Sequence, residues 1–143
     1  MRDWNPYIRA GWELVTEATQ VTPVYLDPEI EHFLVFTIAR TIERNDIGRE
    51  SVAIKILEAK SVPRGQTRQP ILRAIGEECL FIDAWDIKKR RWPSETYYSE
   101  MGQIAFMQSS LSTRPNNELL EKASNSFVIL SKVLKSVRDL AKF

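Results

Sequence analysis

The side chains capable of chemistry are few, and their spacing limits what each can do. One histidine, His32, and one cysteine, Cys79, occur in 143 residues. Glu29 and His32 form a Glu-x-x-His pair, which on a helix puts a carboxylate and an imidazole on one face, as in di-iron bundles. Such a centre needs two copies of the pair, and a single histidine supplies one, so a complete site of that type is excluded. A nucleophilic cysteine needs a polar, electropositive setting and a nearby base. Cys79 instead shares an apolar helical face with Ile75, Leu80 and Ile82, the ordinary place of a small buried residue. The sequence holds no Gly-x-Ser-x-Gly elbow, P-loop or dinucleotide glycine fingerprint. No catalytic residue, metal or cofactor is assigned, and the chain reads as non-enzymatic.

Four features remain that could bind something. Lys88-Lys89-Arg90-Arg91 lies between Trp85 and Trp92. Cations beside indoles can hold phosphate or stack on a single strand, although four charges make a small footprint and the bland reading is a solvated loop. Gly76 and Gly102 each fall inside a helical segment, where glycine costs about 1 kcal/mol against alanine. Close approach of two backbones explains them. A small-ligand pocket bounded by Gly76, Gly102, Tyr97 and Tyr98 is the alternative. Glu77, Glu78, Asp83 and Glu100 are carboxylates within helical stretches. One that turns inward must be paired or hydrogen-bonded, with Arg73, Arg68 or a tyrosine hydroxyl as partner. Helical geometry turns Asp83 inward and Glu78 away.

The totals close off other classes. Twenty basic and nineteen acidic residues leave no overall field for nucleic acid or an anionic membrane. A single cysteine makes no internal disulfide. The first residues lack the basic-then-apolar pattern of a signal peptide, and no apolar run approaches the roughly 20 residues of a spanning helix. A cytoplasmic protein is expected.

The elements that must position these residues are all helical, because strict polar–apolar alternation is nowhere sustained. The breakers predict an all-α, single-domain bundle of about five to six helices over 1–143. The first spans about Tyr7 to Thr19. Asp27-Pro28 caps and opens the second, which runs to about Arg44 and is apolar on more than one face, hence central. The third spans Glu50 to Lys60 with Val52, Ala53, Ile56 and Leu57 inward. The fourth runs from Gln69 to Trp85 with Ile71, Leu72, Ile75, Cys79, Leu80 and Ile82 inward. The fifth starts at Pro93-Ser94-Glu95 and carries Tyr97, Tyr98, Met101, Ile104, Ala105 and Phe106. Asn116 or Asn117 caps the last, whose Leu120, Ala123, Phe127, Leu130, Leu134, Val137 and Ala141 form a heptad seam.

Three segments also resemble patterns of a known family. Leu72-Arg73-Ala74-Ile75-Gly76-Glu77-Glu78-Cys79-Leu80 is similar to L-R-x-x-G-D/E-x-A/C-L. Tyr97-Tyr98-Ser99-Glu100-Met101-Gly102-Gln103-Ile104-Ala105-Phe106 is similar to Y-Y/F-x-x-M-G-x-x-A-Y/F. Pro28-Glu29-Ile30-Glu31-His32-Phe33-Leu34-Val35 is similar to P-E-x-E-x-x-L-V. Together, over residues 25–110, they resemble a family of small helical, uncharacterised proteins, mostly proteobacterial. The chain departs from it at His32, where an aromatic or apolar residue is usual, and in the charged stretch from Trp85 to Trp92. The resemblance implies a bacterial ancestry and no activity.

The sequence thus predicts a helical protein that acts through protein–protein contacts. Ile129, Val133 and Leu140 flank the last helix's seam and widen its apolar surface, so a second copy of the chain is the simplest partner. The competing account has the first helix, with Trp12 and Val15, covering that flank. Nucleic-acid or anion binding through Lys88–Arg91 is the alternative, and a membrane span is excluded.

Overall fold

Capping chemistry sets the helix starts. In a computed structural model, which describes residues 6–63, 67–85 and 96–141, the chain forms α1 (Pro6–Val21), α2 (Pro28–Thr41), α3 (Val52–Lys60), α4 (Arg68–Trp85), α5 (Tyr97–Ser110), α6 (Glu118–Asn125) and α7 (Phe127–Ala141). The Asp27 carboxylate accepts the Glu29 N–H at 3.3 Å and Pro28 follows at the first position. Ser51 accepts from Ile54 at 3.4 Å, and Asn117 from Leu120 at 3.0 Å. Each satisfies an amide that the first turn leaves open. The all-α class holds, and no strand occurs among the described residues. Among the described residues there are seven helices rather than five to six. The expected last helix divides at Ser126, next to Asn125, two residue types that favour caps and turns over helix interiors. α2 ends at Thr41, short of Arg44. The expected α5 cap, Ser94, lies outside the described residues.

α4 is the axis. Every residue from Ile75 to Ile82 is buried, the mark of a helix enclosed on all sides. α5, α7, α3 and α2 all pack against it, and one continuous apolar core joins them. The two glycines make the closest approach. A Cβ on Gly76 would lie 2.6 Å from Cδ1 of Phe106, and one on Gly102 would meet the Phe127 ring and lie 2.9 Å from Cβ of Cys79. Both expected contacts are therefore present, and what fills each gap is an aromatic ring. Phe106 stands between them, edge-on to Phe33 at 5.5 Å and tilted against Phe127 at 6.1 Å.

α7 is fastened to α4 by polar bonds at its edge. The Trp85 indole N–H donates to the Leu134 carbonyl at 2.9 Å, Arg138 donates to the Trp85 carbonyl at 2.8 Å, and the Ser131 hydroxyl donates to Asp83 at 2.7 Å. The seam residues from Leu120 to Val137 are buried inside the chain. Several residues expected inside are not: Leu57 is 69% exposed, Ile104 47% and Ile71 39%. Two-sided apolar patterns on short helices over-predict burial where no neighbouring helix covers the second side. Among the described residues no helix is long and apolar enough to cross a membrane.

The glycine contacts give a paired expectation. Gly102→Ala should lower the urea-unfolding free energy by about 1–3 kcal/mol, because the methyl group enters the Phe127 ring. Gly11→Ala, whose Cβ would meet Val35 no closer than 3.4 Å, should be neutral or stabilise by up to about 1 kcal/mol through helix propensity. Equal effects at both positions would refute the close-packing account. Cys79 lies in the same seam and is fully buried. Burial pushes its thiol well above the ordinary range, and the neighbouring Glu78 carboxylate adds to the shift. Native protein should therefore resist a thiol reagent under conditions in which urea-unfolded protein is labelled to completion.

Candidate functional site

The largest concentration of charge inside the molecule surrounds two adjacent carboxylates of α4. Glu77 is 2% exposed and Glu78 is 0% exposed. Consecutive helical residues point about 100° apart, so the two turn toward different neighbours. Glu77 faces α2. It accepts from the Thr37 hydroxyl at 3.2 Å and from Arg40 through Nε at 3.2 Å and Nη2 at 2.5 Å, and Arg73 Nε stands 3.6 Å away. Glu78 faces α3 and the segment before it. It accepts from Lys55 Nζ at 2.8 Å, from the Gly48 backbone N–H at 2.8 Å and from Arg44 Nη2 at 3.4 Å. Gly48 has φ of 78°, a left-handed conformation that glycine adopts at no steric cost, and there its amide meets the carboxylate.

The inward carboxylates are therefore Glu77 and Glu78. Glu78 does not point away, because α3 covers the face that helical phase alone assigns to solvent. Asp83 is only half-buried. Arg73 is a partner of Glu77, as expected, whereas Arg68 bonds instead to the carbonyls of Val62 and Lys60, each at 2.8 Å. It thereby satisfies open acceptors at the C-terminal end of α3.

Above Glu78 lies a groove of about 610 Å³ between α3, the 44–50 segment and the first half of α4. Its apolar wall comes from Ala59, Val62, Pro70, Ile71, Ala74 and Ile75. Its floor is a closed set of charges: Lys55 and Arg44 on Glu78, and Arg44 on Asp46 at 2.9 and 3.0 Å and on the Ala74 carbonyl at 3.2 Å. The hydrogen bond to Arg44 is the main reason that the Asp46 carboxyl is held down at about 2, and the same bond raises Arg44. A carboxyl depressed in the folded state stabilises above its ordinary range near pH 4, and the contribution fades as pH falls toward 2. Glu50 and Glu58 also line the groove, and among the described residues no hydrogen bond or ion pair reaches either carboxylate. Ile54 and Leu57, 53% and 69% exposed, lie on α3 outside the groove's lining.

The residues singled out from sequence fall elsewhere. Gly76 and Gly102 face aromatic rings, so a ligand against their bare backbone is ruled out by occupied space. Tyr97 and Tyr98 stack edge-on at 5.0 Å and are half-buried, and burial is the main cause that pushes both hydroxyls above the ordinary tyrosine range. Lys88, Lys89, Arg90 and Arg91 lie outside the described residues. Of the expected interface, Val133 is fully buried, Leu140 is half-buried against the core and Ile129 is 42% exposed. α1 packs on α7 with Val15 buried and Trp12 half-buried, so the competing account of that flank describes most of it. His32 is exposed and meets the Trp12 ring edge-on at 4.8 Å. Among the described residues no group of three or more His, Cys, Asp or Glu side chains is placed to hold a metal.

Sequence reasoning did not find Arg40, Arg44 and Lys55. They lie on three separate segments and no spacing links them to α4. The one available signal was the Glu77-Glu78 pair itself, flanked by Ile75 and Cys79 within an apolar helix. No family model, curated protein or solved structure matches the chain.

Because Lys55 and Arg44 are themselves mostly buried, at 15% and 22% exposure, removing their counter-charge leaves cations that water reaches poorly. Glu78→Gln should lower the unfolding free energy by about 3 kcal/mol. Glu121→Gln, on the surface, should change it by less than about 0.5 kcal/mol. Urea titration of both variants checks the difference.

Proposed function

We propose that the chain is a non-enzymatic helical protein that acts by holding a segment of another protein in the groove between α3 and α4. The observation that carries this reading is the groove's division of labour. Its charged floor is already neutralised from within, so Lys55, Arg44 and Glu78 are structural and not poised for proton transfer. What faces outward is an apolar wall that includes the exposed Ile71, and two carboxylates, Glu50 and Glu58, without side-chain partners among the described residues. A volume of about 610 Å³ accepts several side chains. The complementary occupant is a segment with an apolar side chain flanked by lysine or arginine, which would bury the wall and pair the free carboxylates.

Descent from the small helical family suggested by the three motifs is part of this proposal and lends it no activity. Self-association through α7 is a weaker reading, because the apolar flank on which it rested is reduced to Val128 and Ile129 at the surface. Anion or nucleic-acid binding through Lys88–Arg91, which lies outside the described residues, is the alternative reading.

A photo-crosslinking amino acid at Ile71, with a second at Val128 as comparison, tests the reading in cells of the native host. The expected outcome is one discrete adduct at position 71 with a different polypeptide, lost when Glu50 and Glu58 are both changed to Lys. Adducts only with a second copy of the chain at position 128 would replace the reading with self-association. No adduct at position 71 would end it.

A further inference from the structure

A second concavity, on the opposite side of the α4 carboxylate pair, has the reverse electrostatic balance. It holds about 240 Å³ between α2, the start of α4 and the start of α6. Arg40 and Arg73 line it, and among the described residues Glu77 is the only carboxylate that pairs with either. No aspartate or glutamate among the described residues lines the cavity. One negative charge thus answers two positive ones, and the match is unequal. Arg40 takes the short bonds to Glu77, whereas Arg73 stands off at 3.6 Å and its buried Nε has no hydrogen-bond partner. Such an unmade bond is costly in a native interior. Both side chains line the cavity and are 39% and 31% exposed. His32 stands at the rim, and Phe36 and Leu119 give an apolar side.

We infer that this cavity is a binding site for a small organic anion, one carboxylate or phosphate head on a compact apolar body. The head belongs against Arg40 and Arg73, whose planar forks suit either group in a bidentate geometry. The body belongs against Phe36 and Leu119. The cavity admits a ring or a short branched chain. The α3–α4 groove has two unpaired carboxylates and would repel the same ligand, so the two concavities sort their ligands by charge.

The test is an NMR titration of the isotopically labelled full chain, read at the arginine Nε–Hε signals and at the Leu119 and Leu120 amides. The probes are phenyl phosphate, benzoate, inorganic phosphate and the neutral benzyl alcohol. Phenyl phosphate or benzoate should shift these signals saturably with millimolar or tighter affinity. The tighter of the two assigns the head group. Inorganic phosphate should bind more weakly than phenyl phosphate, and benzyl alcohol should leave the arginine signals in place. Arg73→Gln and, separately, His32→Glu should each weaken the better anion about tenfold or more. His32 is exposed, so its variant keeps the test valid if Arg73→Gln fails to fold. The proposal is overturned if neither organic anion saturates by about 10 mM, if benzyl alcohol shifts the arginine signals equally, or if His32→Glu binds with unchanged affinity.

Discussion

Two adjacent carboxylates on the most enclosed helix impose the main constraint on this molecule. A buried carboxylate without partners is not tolerated in a low-dielectric interior, so burying Glu77 and Glu78 in α4 obliges other segments to deliver cations and amides to two points about a third of a turn apart. α2 delivers Thr37 and Arg40 to one. The 44–48 segment and α3 deliver Arg44, Gly48 and Lys55 to the other. The irregular stretch between α2 and α3 is held by isolated turns, such as Arg44 N–H to the Thr41 carbonyl and Arg49 N–H to the Asp46 carbonyl. Its placement follows from Gly48 and Arg44 being tied to the same carboxylate.

The two anchors are not equivalent, and the difference reaches the surface. Around Glu78 the charges close on themselves, and the acids left over make the neighbouring groove negative. Around Glu77 there is one guanidinium more than the carboxylate can hold well, and the neighbouring cavity is positive. A chain with nearly equal numbers of acidic and basic residues thus presents two concavities of opposite character, separated by the width of one helix. Net charge describes long-range steering, whereas local pairing decides what each concavity accepts.

Apolar contacts complete the frame on the other side of α4. Gly76 and Gly102 lack the Cβ that would keep Phe106 and Phe127 at ordinary distance, and the rings fill the space. The helix-propensity cost of about 1 kcal/mol per glycine is offset by burying two aromatic rings, each worth more than that in removed apolar area. The break at Ser126 belongs to the same arrangement, since α7 begins at Phe127, the residue that enters the Gly102 notch.

Much of the frame was legible in the sequence. The helical class followed from the absence of alternation, the starts of α2 and α6 from Asp27 and Asn117, and the close contacts from glycine inside a helical pattern. These are local properties, fixed by the chain within a few residues of where they act. The inward turn of Glu78, the exposure of Leu57 and Ile71, the burial of Val133 and the convergence of Arg40, Arg44 and Lys55 were not legible, whereas Arg73, one helical turn from Glu77, was. Helical phase gives direction around one axis, but whether a given direction meets solvent or another helix depends on how distant segments pack. A cation more than twenty residues from its carboxylate leaves no trace in spacing. The sequence by itself determined which segments are helices and which of their residues demand a partner. Only the tertiary structure decided which partners answer, because pairing energies depend on distance and burial and not on separation along the chain.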